Sequence, residues 1–178
     1  MGYSRYFGMR SFENVVRDGR FRVPKTGTPF VIGAPVMLDS ANPGFLKAAT
    51  AGAAANGAAG IAIFEHIQLK GVDTSLIGSH DAPFDQIPLG QYTQMMHGPG
   101  AKVWFKNVAD KTLYDGRTQT GGTLLAASVN VATLTAGSVL TPDGAGKYKV
   151  GNGTTDGGWL IVEQVNPATG LVEARFNF

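Results

Sequence analysis

Phe30–Ile67, FVIGAPVMLDSANPGFLKAATAGAAANGAAGIAIFEHI, carries the grammar that decides the fold. A short apolar run, broken by Gly33 and Pro35, leads into Asp39-Ser-Ala-Asn-Pro-Gly44, which has the residue types of a reverse turn. Phe45-Leu-Lys-Ala reads as the return strand. Proline has no N–H to give to a ladder, so the first strand lies at a sheet edge or bends at Pro35. Ala48–Gly60 is rich in alanine, the best helix former. Gly52, Gly57 and Gly60 interrupt it, however, and Asn56-Gly57 is a turn pair. A compact loop approached closely by other backbone suits these small residues better than a helix. Ile61 and Ile63 then carry a buried strand into Glu65 and His66.

A shorter version of this unit returns at Gly137–Glu163. Gly33 precedes Asp39 by six positions and Gly137 precedes Asp143 by six. Gly44-Phe-Leu-Lys-Ala answers to Gly146-Lys-Tyr-Lys-Val, and Gly60 precedes Glu65 by five as Gly158 precedes Glu163. Matched on these anchors, the first copy is six residues longer. Such self-similarity indicates two related supersecondary units.

The rest of the composition agrees with a β protein. Glycine (25) and proline (9) spread over 178 residues set many turns and short strands. Only 16% of residues are charged, a low share for a fully solvated surface and one that suits a protein covered in part by another. With no cysteine, neither disulfides nor thiolate metal sites staple the fold. No apolar run reaches the length that spans a bilayer, and no secretory h-region opens the chain, so synthesis and assembly in a cytoplasm are expected.

Residues 1–28 read as an extended or lightly helical N-terminal arm, and 29–178 as a β-rich body with 29–113 and 114–178 as candidate lobes. The arm places Arg5, Arg10, Arg17, Arg20 and Arg22 among Tyr3, Tyr6, Phe7, Phe12 and Phe21, a mixture that favours burial on this chain or on a partner over free solvation. Residues 68–100 carry turn residues with little periodicity, the mark of a functional or partner-bound segment. In Ala101–Val108 the residues alternate, with Val103 and Phe105 on the buried face. Thr123–Leu134 reads as a strand, and Trp159–Val165 with Leu171–Phe176 as a hairpin closed by Asn166-Pro-Ala-Thr-Gly170. The expected fold is therefore mainly β: a compact barrel-like or sandwich-like body of two glycine-rich strand–turn–strand units, as one barrel or two lobes, behind the arm.

Ala34-Pro-Val-Met-Leu-Asp-Ser and AAANGAAGIAI (53–63) in the first unit resemble the head decoration proteins of tailed bacteriophages. So do Gly137-Ser-Val-Leu-Thr-Pro-Asp and NGTTDGG (152–158) in the second. These stretches cover roughly a third of the chain. The resemblance implies a structural virion protein, made in the host cytoplasm, that sits on the capsid exterior and cements neighbouring capsomers. It implies the major capsid protein as partner, a homotrimer at three-fold or quasi-three-fold positions, and no cofactor. It also implies an arm that orders on the shell, with Tyr3, Arg5, Tyr6, Phe7, Arg10, Phe12, Arg17, Arg20 and Arg22 as capsid-binding residues. The doubling of the unit, the arm and residues 68–100 depart from the family pattern.

Enzymatic readings are weaker. Ser79, His80 and Asp81 are adjacent, and neighbours in an extended segment point to opposite sides, so they do not form a triad among themselves. His66, His80 and His97 have no ligand spacing, so no metal is expected. Asp143-Gly-Ala-Gly-Lys147 fails as a phosphate loop, with Tyr148 where Ser or Thr belongs and Thr141 in place of the first glycine; it reads as a turn. Two binding alternatives remain. One is a carbohydrate-binding or adhesin-like module stacking glycans on Trp104, Tyr114 and Trp159, although both tryptophans read better as core or interface anchors. The other is nucleic-acid binding through the arm, against which no basic motif continues into the body, so no direct nucleic-acid or membrane contact is expected.

Overall fold

The computed structural model describes residues 7–9, 16–24, 27, 30–52, 59–63, 86–87, 89–90, 92–98, 102–107, 111–112, 116, 118–119, 124–152 and 158–177. Strand makes up 50% and helix 3%, so the chain is mainly β. The strands are β1 (Phe7–Met9), β2 (Val16–Arg22), β3 (Phe30–Val31), β4 (Pro35–Leu38), β5 (Leu46–Ala48) and β6 (Ala59–Ile63). They continue as β7 (Gln86–Ile87), β8 (Tyr92–His97), β9 (Lys102–Lys106), β10 (Lys111–Thr112) and β11 (Thr118–Gln119). β12 (Val139–Pro142), β13 (Tyr148–Val150), β14 (Leu160–Asn166) and β15 (Leu171–Phe176) complete the order.

A five-stranded sheet runs β2-β8-β6-β4-β5 and a six-stranded sheet runs β1-β9-β15-β14-β12-β13. The named pairs in both are antiparallel, and neither sheet closes on itself. One core joins them, with Val36, Leu46, Ile61 and Met95 from the first and Phe105, Leu140, Trp159 and Val172 from the second, all buried. β9, which precedes residue 114, lies inside the six-stranded sheet between β1 and β15.

The two units share a set of main-chain bonds at matching positions. Gly33 N–H donates to the Ala62 carbonyl at 2.9 Å and Ala62 N–H to Ala34, while Gly137 N–H donates to Val162 at 2.8 Å and Val162 N–H to Ser138. In each case two residues face one across the ladder, a bulge whose first residue needs positive φ; Gly33 (+93°) and Gly137 (+90°) supply it. Asp39 N–H bonds Phe45 as Asp143 N–H bonds Lys147, and Ala49 N–H bonds Pro35 as Gly151 N–H bonds Val139. The hairpin registers match as well: Val36↔Ala48, Met37↔Lys47 and Leu38↔Leu46 against Leu140↔Val150, Thr141↔Lys149 and Pro142↔Tyr148. Pro35 opens an interior strand just after the bend, a place where its missing donor is harmless.

This register corrects one detail of the sequence match. Ile61 pairs with Pro35 and Ile161 with Val139, so Gly60 corresponds to Leu160 and not to Gly158. From Gly33 to Ile61 is 28 positions and from Gly137 to Ile161 is 24, a difference of four, not six. Glu163 stands at the register shift between Val162 and Gln164, and its sheet-level counterpart is Ile63. The two glycines are needed for separate reasons. A Cβ on Gly60 would lie 2.5 Å from the Met96 carbonyl oxygen, and one on Gly158 would lie 2.3 Å from Val139 Cγ1. The repeat also extends to a fourth strand, because β8 flanks β6 as β15 flanks β14.

Two other expectations change. Within the expected strand Thr123–Leu134, the described residues 124–134 do not form one: Leu125 makes one isolated parallel bridge to Tyr148, and a 3-10 turn at Val131–Thr133 follows, with Asn130 capping it by accepting from Ala132 N–H. Within 68–100, β8 is an interior strand with both Met95 and Met96 buried. Its Tyr-Thr-Gln-Met-Met-His sequence shows no alternation to announce it. The β14–β15 hairpin forms as expected, with Gly170 left-handed at φ +67°.

Candidate interaction surface

The described parts of the N-terminal segment are edge strands. β1 pairs with β9 (Phe7↔Phe105, Gly8↔Trp104, Met9↔Val103) at the end of the six-stranded sheet. β2 pairs with β8 (Arg17↔Met96, Asp18↔Met95, Phe21↔Thr93, Arg22↔Tyr92) at the end of the five-stranded one, with a register shift between Asp18 and Phe21 that spans Arg20. Phe21 packs on the core, and Val23 is fully buried. Thr93, opposite Phe21, is buried and donates its hydroxyl to the Ile63 carbonyl. The segment is therefore bound along its own body at both sheets, and Phe7, Arg17, Arg20 and Arg22 are carried on those edge strands. Tyr3, Arg5, Tyr6, Arg10 and Phe12 lie outside the described residues.

The Asp turns are built alike. Asp39 accepts from Ala41 N–H at 3.1 Å and from Asn42 Nδ2 at 2.7 Å, and Lys47 Nζ lies 3.6 Å away. These contacts, the Asn42 amide first, hold the Asp39 carboxyl below its ordinary value. Asp143 accepts from Ala145 N–H at 2.7 Å and Lys147 N–H at 3.0 Å. Gly44 (φ +84°) and Gly146 (+82°) close the two turns. All eight repeat positions, Gly33, Asp39, Gly44, Gly60, Gly137, Asp143, Gly146 and Gly158, thus have structural work, and Asp143–Lys147 is a turn.

For glycan stacking, Trp159 is unsuited because it is 1% exposed, inside the core. Trp104 is half-buried on β9, and Tyr114 is outside the described residues. An open groove of about 590 Å³ lies between the β14–β15 turn and the 3-10 turn, lined by Asn107, Ser128, Val131, Pro167 and Thr169 among others, with no aromatic ring. Ser79, His80, Asp81 and His66 also fall outside the described residues. Among those described, no group of His, Cys, Asp and Glu is arranged to hold a metal, and no helix is long and apolar enough to cross a membrane.

No protein-family model matches the chain, and no curated protein is significantly similar to it.

Sequence reasoning missed the sheet edges. β5 ends the five-stranded sheet and β13 ends the six-stranded one, and they occupy the same place in the two units. The β13 edge is covered from within: Tyr148 N–H donates to Leu124 at 2.7 Å and Ala126 N–H donates to Tyr148 at 2.8 Å. Two exposed apolar side chains, Tyr92 on β8 and Val150 on β13, add to the surface available for contact.

Proposed function

We propose that the chain is a structural protein of a phage head, binding the outside of the assembled capsid and cementing neighbouring capsomers as a trimer. The observation that supports this reading is the doubled unit of glycine bulge, strand, Asp turn, return strand and glycine-rich loop, because its residues carry the likeness to head decoration proteins. The low charge content and the many short strands agree with a role in contact rather than in chemistry. Side-by-side attachment at many symmetric sites turns modest contacts into large stabilisation, since each bound copy bridges subunits. The major capsid protein is the partner, the virion exterior the location, and main-chain pairing along sheet edges the mode of attachment.

Co-sedimentation with purified expanded capsids tests this reading. Saturable binding at symmetric positions is expected, and a chain left wholly in the supernatant at micromolar concentration would sink it.

A further inference from the structure

The outer face of the six-stranded sheet gathers charge that the chain as a whole is short of. Val103 and Phe105 on β9, and Val172 and Ala174 on β15, are buried, so the alternate residues Lys102, Trp104 and Lys106, with Glu173 and Arg175, share the opposite face. The register sets Trp104 beside Glu173 and Lys102 beside Arg175. Like charges directly opposite one another across two strands repel. The bulge in β14 answers that pair, because its extra residue, Glu163, reaches Lys102 Nζ at 2.8 Å and Arg175 Nε at 3.7 Å. One carboxylate thus serves two cations, whose side chains both remain about half exposed, and that corner of the sheet stays positive. Trp104 stands in the middle of the face, half-buried, and the β1 residue opposite it is Gly8, which has no side chain to lay over the indole.

We propose that this face docks an acidic, extended segment of a partner protein, with carboxylates against Lys102, Lys106 and Arg175 and an apolar residue against Trp104. Charge chooses the occupant. On the outer face of β9, β15 and β14, the cations Lys102, Lys106 and Arg175 outnumber the carboxylates Glu163 and Glu173, so a second copy of the same face is repelled and an acidic segment is attracted. The two carboxylates oppose a uniform polyanion such as a nucleic-acid strand, whereas a protein segment can set a neutral residue against each of them. A tryptophan flanked by lysine and arginine is the kind of anchor that carries most of the energy of a protein contact. Three strands about 4.8 Å apart and about 17 Å long offer a face on the order of 250 Å², the footprint of a segment and not of a whole interface of about 800 Å² per partner. In assigning the segment to the shell protein, the inference rests on the decoration reading; the face itself does not.

The test uses the full chain and a synthetic peptide, EDLDE with both ends blocked, followed by NMR of the backbone amides and of the two indole N–H groups. Trp159 is 1% exposed and serves as the internal reference. Saturable shifts at Lys102–Lys106, at Glu173 and Arg175 and at the Trp104 indole are expected, with the Trp159 indole unmoved and the affinity falling as salt is added. Lys106→Glu should weaken peptide binding about tenfold, and so should Trp104→Ala. Lys106 lies four positions along β9 from Lys102 and its bridge to Glu163, so Lys106→Glu supplies the comparison if Trp104→Ala does not fold. Four results would overturn the proposal: no saturable shift, an affinity unchanged in both variants, tighter binding of an oligothymidine strand than of the peptide, or self-association abolished by Lys106→Glu, which assigns the face to a second copy. Peptide binding without capsid binding would defeat only the decoration reading. Capsid binding unchanged in both variants, with no peptide binding, would defeat only the face.

Discussion

The Tyr148 hydroxyl donates a 3.0 Å hydrogen bond to the Gly33 carbonyl, 115 residues earlier in the chain and inside the core. It joins the bulge of the first unit to the return strand of the second, and the same ring stacks on Phe105 with centroids 6.3 Å apart. Because Leu46 stands at the equivalent place in the first unit, the bond has no mate in the other direction.

Tyr148→Phe leaves that carbonyl buried without its donor, and a loss of about 1–2 kcal/mol is expected in urea unfolding at neutral pH. Burial pushes the Tyr148 phenol up, while in the unfolded chain it ionises near about 10. The folded state thus keeps a proton that the unfolded state gives away, and stability falls as pH rises past that point. The gap between wild type and Tyr148→Phe should narrow there.

The glycines separate by mechanism. Gly60→Ala presses a Cβ into Met96 backbone and should cost about 3 kcal/mol, whereas at Gly158 the obstacle is a Val139 methyl that rotates or shifts, with a loss nearer about 1 kcal/mol. Gly137→Ala meets no atom within 4 Å, but φ of +90° alone should cost about 1–2 kcal/mol. Thermal unfolding of the three variants should rank them with Gly60→Ala the least stable.

Asp39 yields a pH signature of the opposite sign. Its carboxyl is held low by Asn42, Ala41 and Lys47, so below the ordinary carboxylate value the unfolded state binds the extra proton. The contribution is present above that value and is lost as pH falls through the lowered one. Asp39→Asn should flatten the acid limb of the stability curve and leave the alkaline limb unchanged.

Deleting residues 1–28 would remove β1, β2 and the buried Val23 and open the edges of β9 and β8. A large drop in melting temperature is expected, so the deletion does not isolate the arm's role in attachment. Deleting residues 1–6 leaves both strands and should preserve the melting transition.

Turn chemistry was the legible part of the sequence. Asn166-Pro-Ala-Thr-Gly170 announces its hairpin, and the spacings Gly33 to Asp39 and Gly137 to Asp143 announce two related units with Asp turns, because positive φ and Asp-to-backbone bonding select few residue types. Strand β8 was illegible because Met95 and Met96 are both buried, which erases the period of two. The Leu-rich 124–134 stretch read as a strand, but Asn130 caps a 3-10 turn within it and its one ladder contact is the bridge from Leu125 to Tyr148. For the candidate surface, the aromatic and basic residues of 1–28 were visible, while their pairing along two sheets depends on long-range register that local patterns do not encode.

Capsid stability tests the central claim most directly. Expanded capsids melted with and without the protein at saturating concentration should differ, with the decorated shells unfolding at the higher temperature and returning to the undecorated value when the protein is washed away. Identical melting curves, with the protein present throughout, would contradict a cementing role.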